Sequence, residues 1–223
     1  MNIKLFFQAI IKFIFGVVII GALLFIPANT ISYWNAWLFM GLLFIPMFLA
    51  GIVMMIKSPD LLKKRLNAKE KESEQKQVIL FSGLMFLAGF IVAGLNYKYK
   101  WIEVPNSLVI ASSIVFLLAY ILYAEVLREN KYLSRTIEVQ ESQKVVDTGL
   151  YGIVRHPMYA VTVLLFLSMP LILGSVISFV IFLVYLFIIS KRIKNEEEVL
   201  EKELDGYSDY KKKVKYKMIP FIW

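Results

Sequence analysis

The chain has 223 residues, of which 59% are hydrophobic and 19% charged, and its formal net charge is +8 at pH 7. That is more apolar surface than one soluble core can bury, so a lipid environment is required, and one membrane region accounts for nearly the whole chain. The lack of cysteine excludes a disulfide framework and a thiolate metal site, and a single histidine leaves no basis for a catalytic zinc; no metal is expected. The basic residues fall between and after the apolar runs, which membrane topology explains without nucleic acid.

The first apolar span runs from about Ile10 to Ile26. Lys4, Gln8 and Lys12 recur every four residues before and within it, a polar stripe whose lysines reach toward headgroups. A lysine-bearing start before an apolar run imitates a signal peptide, but no small-x-small cleavage pattern follows Gly21 to Pro27, and a retained helix is expected. The second span, Tyr33 to Ile56, opens on an interfacial belt of Tyr33, Trp34 and Trp37 and contains Pro46, where a kink is expected. The third and fourth, Val78 to Leu95 and Ser107 to Leu127, are also close to the roughly 20 residues that a hydrocarbon core asks for. Lys69 to Gln77 reads as a polar, mobile part of a cytoplasmic loop over 57–77.

The fifth apolar stretch, Met158 to Ser190, would be about 50 Å long as one straight helix, well beyond a bilayer core of roughly 30 Å. Pro170 and Gly174 near its middle predict a tight hairpin of two short or tilted helices. Charge placement supports the same topology independently. Lys57 to Lys76 holds seven Lys/Arg, Arg128 to Arg155 five and Lys191 to Lys217 nine, whereas Pro27 to Ser32 and Asn96 to Asn106 hold only Lys98 and Lys100. The basic segments belong in the cytoplasm, and only a hairpin returns the last of them there. The expected fold is all-α and polytopic, with six membrane helices and both termini inside. Residues 1–127 would form four N-terminal membrane helices, and 128–223 a catalytic region with hairpin 158–190 and a cytoplasmic tail.

Ionisable groups at membrane depth are scarce beyond Lys12 and Glu125 near helix ends, which argues against a proton relay or an ion pathway. The chemistry is concentrated in two segments that the hairpin brings together, Val145 to Tyr159 and Lys191 to Tyr210. The first is a turn-rich approach to a helix. Gly149 and Gly152 permit close approach or unusual dihedrals, Pro157 suits a first helical turn, and the free N–H groups there suit a ligand carboxylate. Arg155 supplies a forked permanent cation, and His156 donates or accepts near neutral pH. Read singly, both residues also serve as headgroup anchors, with Tyr159 in the interfacial belt. In the second segment Glu196 lies four residues after Arg192, so they share a face, and a carboxylate there suits a cationic amine. The three consecutive glutamates equally make a solvated acidic run, and not all of them can face one site. Gly206, Tyr207, Tyr210 and the tail to Trp223 read as membrane anchoring, with Lys211 to Lys217 on anionic lipid and Met218 to Trp223 at the interface.

Taken jointly, Arg155-His156-Pro157-x-Tyr159, the hairpin, Arg192-Ile193-x-x-Glu196-Glu197-x-x-Leu200, Gly206 and Tyr210 strongly resemble the isoprenylcysteine carboxyl methyltransferase family and its bacterial relatives. The resemblance runs from about Asn130 to Trp223, with weaker similarity in Ser58-Pro59-Asp60-Leu61-Leu62 and Val104-Pro105. It implies a cytoplasmic S-adenosylmethionine site unlike a Rossmann fold, consistent with the lack of a Gly-x-Gly-x-x-Gly turn. It also implies an integral protein of a bacterial cytoplasmic membrane. Carried over, His156 and Tyr159 line the cofactor pocket, Glu197 or Glu196 engages the methionine amino group, and Gln140, Gly149 and Tyr151 are further walls. Arg155, His156 and Glu197 are the candidate catalytic residues, with Arg155 binding either the cofactor carboxylate or an anionic substrate. A carboxylate acceptor is already ionised near pH 7 and needs orientation; an amine or hydroxyl needs a base, for which His156 or a nearby glutamate is the candidate. The preferred partner is a lipid-like or isoprenylcysteine-like acceptor entering sideways from the membrane. Phospholipid N-methylation, sterol-type reduction and a non-catalytic scaffold or transporter are the alternatives. Met158 and Ala160-Val161 depart from the small residues or glycine of bacterial relatives, which alters the expected shape of the substrate entrance.

Overall fold

The computed structural model describes residues 3–66, 73–133 and 139–223, and every regular element among them is helical. Helices α1 (Ile3–Ala28), α2 (Trp34–Lys57), α4 (Ser73–Tyr99) and α5 (Asn106–Glu129) correspond to the first four spans, with a short α3 (Pro59–Leu66) after α2. Helices α1 and α4 run several residues past their apolar cores, because backbone N–H and C=O groups stay paired until water can replace the helical bonds, whereas α2 and α5 end within two residues of theirs. The polar loop is accordingly shorter than the sequence reading placed it. Residues 69–72 lie outside the described residues, and Ser73 to Gln77 already belong to α4. Pro46 lies inside α2 without ending it.

Apolar side chains face both ways, as lipid permits. Ile11, Phe15, Ile45, Leu80, Ile121 and Phe187 are exposed on the outer surface, whereas Leu24, Phe39, Phe116, Phe182 and Ile189 are buried between helices. The interior is aromatic, with Phe39 against Phe90 and Phe86 edge-on to Phe182. Helix α1 packs along α4, and α5 along α6 (Pro157–Ile172). Close approach of α1 and α4 depends on Gly94, where a Cβ would stand 2.6 Å from the Leu24 carbonyl oxygen and 3.0 Å from Pro27 Cβ.

The hairpin is present, and its turn is set by glycine rather than proline. Pro170 lies inside the last turn of α6; the chain reverses at Gly174, whose φ of 73° is left-handed. The Ser175 hydroxyl then caps α7 (Val176–Phe182) by accepting from Ser178 N at 3.1 Å. After a break at Leu183 the return limb continues as α8 (Val184–Glu203). The two limbs are joined by Thr162 Oγ1 and Tyr185 OH at 2.9 Å and by Phe166 edge-on to Tyr185. Five stretches are long and apolar enough to cross a membrane, namely α1, α2, Lys76–Tyr99, α5 and Val176–Glu203, whereas α6 has 16 residues. At about 24 Å, α6 is shorter than a typical hydrocarbon core. The chain is thus an all-α integral membrane protein.

Helix capping from other helices locates the hairpin tip. Tyr33 OH donates to Leu173 O at 2.5 Å, Asn35 Nδ2 to Ile172 O at 2.9 Å, and Asn96 Nδ2 to Gly174 O at 3.1 Å. Tyr33 and Asn35 stand at the start of α2 and Asn96 near the end of α4, so the tip lies beside the 29–33 and 100–105 connections. Both limbs therefore traverse the bundle, and the segments before α6 and after α8 emerge together at the other end.

Gly94 provides a test of the α1–α4 contact. Alanine gains about 1 kcal/mol of helix propensity over glycine, but a methyl group 2.6 Å from a carbonyl oxygen must push two backbones apart, and overpacking of this kind costs about 1–3 kcal/mol. Gly94→Ala should lower the thermal unfolding midpoint in detergent. Gly83→Ala, where nothing lies within 4 Å of the added Cβ, should leave the midpoint unchanged or raise it.

Candidate functional site

Between α5 and α6 the chain forms a 3-10 turn, Gly149–Gly152, before entering α6 at Pro157. Gly149 has φ +51°, and the Glu129 carboxylate packs against it while accepting from Leu150 N at 2.9 Å. This anchors the approach segment to the end of α5. Arg155 and His156 then pair with the C-terminal tail through their backbones, Arg155 N donating to Tyr216 O at 2.9 Å and His156 N to Lys217 O at 2.8 Å. Arg155 Nη1 donates to Val214 O at 2.7 Å and Lys215 O at 2.8 Å. The tail therefore closes over the start of α6.

From the other limb, α8 brings Glu197 beneath this turn. Its Oε1 accepts from Arg155 Nε at 2.7 Å and lies 3.2 Å from His156 Nε2, and its Oε2 is 3.3 Å from Lys217 Nζ. Arg155 and Glu197 are only 6% and 4% exposed, so this ion pair is held away from solvent and its geometry matters far more than that of a surface pair. Glu198 points to solvent, as one of three successive helical residues must.

One residue earlier, Glu196 faces a cavity of about 100 Å³ whose wall also carries Arg155, His156, Tyr159, Arg192 and Tyr151. Glu196 Oε2 accepts from Tyr159 OH, and Tyr159 OH accepts from Arg192 Nε at 2.9 Å. The His156 and Tyr159 rings stack with centroids 5.7 Å apart, and the Arg192 guanidinium sits over the Tyr159 ring. Tyr151 OH accepts from Asn130 Nδ2 at 3.0 Å, and its carbonyl accepts from Tyr210 OH at 2.7 Å. Burial is the main reason the Tyr151 and Tyr210 phenols are shifted well above their ordinary range, so both stay neutral.

Of the residues singled out from sequence, Arg155, His156, Tyr151, Tyr159 and Glu196 share this cavity. Glu197 lies behind the wall and holds Arg155 and His156 in place. Gln140 pairs with Tyr132 O and the Gln143 side chain, and Gly149 packs on Glu129; neither lines the cavity. Sequence reasoning missed Asn130, Lys144 and Leu200 as walls, and it read Tyr207 and Tyr210 as anchoring when they too face the cavity. The available signal was their spacing. Helix α9 (Tyr207–Lys213) places positions three apart on one face, and that face packs with Leu200, Leu204, Val139, Val145 and Val214 into a small separate core.

Residues 110–202 match the model of the isoprenylcysteine carboxyl methyltransferase family. Among solved structures, the chain is similar to that of the eukaryotic intramembrane Ras methyltransferase, an isoprenylcysteine carboxyl methyltransferase determined without a monobody. The two share 21% identity over 92% of this chain and 74% of that chain, with a TM-score of 0.59. That likeness shows a common fold. No curated protein matches the chain by sequence.

Removing the carboxylate beneath the turn tests the wall's construction. Glu197→Ala leaves the Arg155 guanidinium buried without its counter-ion and should cost about 3–5 kcal/mol, read as a large fall in the detergent unfolding midpoint. Asp147→Ala, which breaks an exposed pair with Lys213, should move the midpoint little, since such pairs contribute about 0–1 kcal/mol.

Proposed function

We propose that this chain, a relative of the isoprenylcysteine carboxyl methyltransferase family, is a membrane-embedded methyltransferase that uses S-adenosylmethionine to methylate a lipid-like or isoprenylcysteine-like carboxylate. The observation that carries the reading is the meeting of the Arg155-His156-Pro157 turn and the Glu196 face of α8 around one cavity, with both limbs inside the segment that matches the family.

The wall suits the amino-acid end of such a donor. Glu196 offers a carboxylate for an ammonium group, and its Oε1 takes no hydrogen bond from the described residues. Arg155 spends Nε and Nη1 on Glu197 and the tail, which leaves Nη2 for a carboxylate at the cavity. The enclosed volume, about 100 Å³, is below the roughly 300 Å³ of a typical small-molecule site, so the nucleoside end extends past it beside Tyr132, Leu133 and Val145. Bound there, S-adenosylmethionine supplies a sulfonium methyl that a carboxylate oxygen takes in line, the carbon–sulfur electrons returning to sulfur.

The protein's own part is positioning and exclusion of water. Tyr159, fixed between Glu196 and Arg192, holds the carboxylate in one rotamer. His156, with its Nε2 on Glu197 and its ring on Tyr159, forms a rigid side of the cavity. With Arg155 and Glu196 given to the donor, the remaining charged wall residues are Lys144 and Arg192, which favours an anionic acceptor over an amine. The acceptor enters from the bilayer between helices, and the site faces the cytoplasm of a bacterial cell with both termini on that side.

Calorimetry of S-adenosylhomocysteine with detergent-solubilised wild-type protein should show binding, weakened about tenfold or more in Glu196→Gln. Transfer from radiolabelled S-adenosylmethionine into membrane lipid extracts should yield an alkali-labile product, because methyl esters release methanol in base and N-methyl groups do not. A folded wild-type protein that binds neither nucleoside would reject the reading. For orientation, a reporter fused after Trp223 should be cytoplasmic, and an external signal would invert the topology.

A further inference from the structure

We propose that Tyr207 is a ligand-contacting residue that donates a hydrogen bond from its phenol to the carboxylate of the molecule held between Glu196 and Arg155. This rests on the methyl-donor reading and adds to it a residue on a separate helix, outside the matched segment 110–202.

The observation is an unmatched polar atom. Tyr207 is 4% exposed, lines the cavity, and its hydroxyl is buried with no hydrogen-bond partner among the described residues. Leaving a buried hydroxyl unpaired is costly, and such groups are rare in folded proteins outside functional sites. The neighbouring tyrosine makes the contrast. Tyr210, one turn later on the same face and in ring contact with Tyr207, has its hydroxyl satisfied by Tyr151 O at 2.7 Å. The helix therefore offers one phenol used to hold the wall and one, in the same wall, whose buried hydroxyl has no partner among the described residues.

Chemistry fixes the direction of the bond. Burial first, then the charges of Glu197 and Glu196, push the Tyr207 phenol above its ordinary range, so it remains a neutral O–H. The two glutamates favour a cation beside them, which assigns the ligand's ammonium to Glu196. Arg155 lines the same cavity with Nε and Nη1 already engaged, so an anionic ligand group there is received by Arg155 Nη2 and the Tyr207 O–H together.

The test compares S-adenosylhomocysteine with its decarboxylated analogue, which keeps the amine, on wild type, Tyr207→Phe and Tyr210→Phe by calorimetry and thermal unfolding. Tyr207→Phe removes only the unpaired hydroxyl, so the ligand-free midpoint should stay level or rise, whereas Tyr210→Phe should lower it. Tyr207→Phe should weaken S-adenosylhomocysteine about tenfold and leave the decarboxylated analogue within about twofold. Equal binding of S-adenosylhomocysteine by wild type and Tyr207→Phe overturns the inference alone. Equal weakening of both ligands overturns the carboxylate assignment, and a wild type that binds neither overturns the methyl-donor reading and this inference with it.

Discussion

A buried carboxylate joins three pieces of chain that are distant in sequence. Glu197 on α8 accepts from the Arg155 guanidinium and meets His156 at the start of α6, and its second oxygen faces Lys217 in the tail. Each charge here would be expensive to bury alone, and together they neutralise one another. The turn before α6 is held by α8 beside it, and the tail is held by Arg155, which binds the carbonyls of 214 and 215. The cavity exists as a by-product of that closure, with Glu196 on the inward face because Glu197 is committed beneath it.

Much of the architecture was legible from apolar length and charge. Basic segments at 57–76, 128–155 and 191–217 demand one side of a membrane, and only a reversal within 158–190 satisfies all three. The place of that reversal was less legible, because Pro170 and Gly174 are both breakers in sequence. Proline near the end of a helix merely forgoes one hydrogen bond, whereas the left-handed φ at Gly174 turns the chain, and distinguishing them needs the capping groups of Tyr33, Asn35 and Asn96. The limits of α1 and α4 were understated, since hydropathy marks where lipid begins and helices continue until their polar backbone meets water.

The site was legible to the extent that it follows helical phase. Residues 155, 156, 159 and 196 converge because a hairpin makes them neighbours, and adjacent glutamates on a helix separate by about 100°. Sequence could not say which of Glu196 and Glu197 faces inward, because either phase fits an amphipathic exit from the bilayer. The tyrosines at 207 and 210 were hidden for a different reason. Aromatic residues beside a basic tail carry the composition of a membrane-surface segment, and only the folding of α9 onto α8 through Leu200, Leu204 and Val214 turns them toward the cavity.

The capped hairpin tip bears on the order in which the chain is made. The carbonyls of residues 172, 173 and 174 find their donors on α2 and α4, in side chains that belong to the first half of the sequence. The outgoing limb is a helix of only 16 residues, shorter than a self-sufficient membrane helix, although the return limb is long enough to cross. Synthesis from the N-terminus supplies the slot before the hairpin emerges, and the later half inserts into partners already in place. The half of the chain that carries the cavity is consequently not a portable unit: severed from α2 and α4, its hairpin tip would lose the donors of three carbonyls.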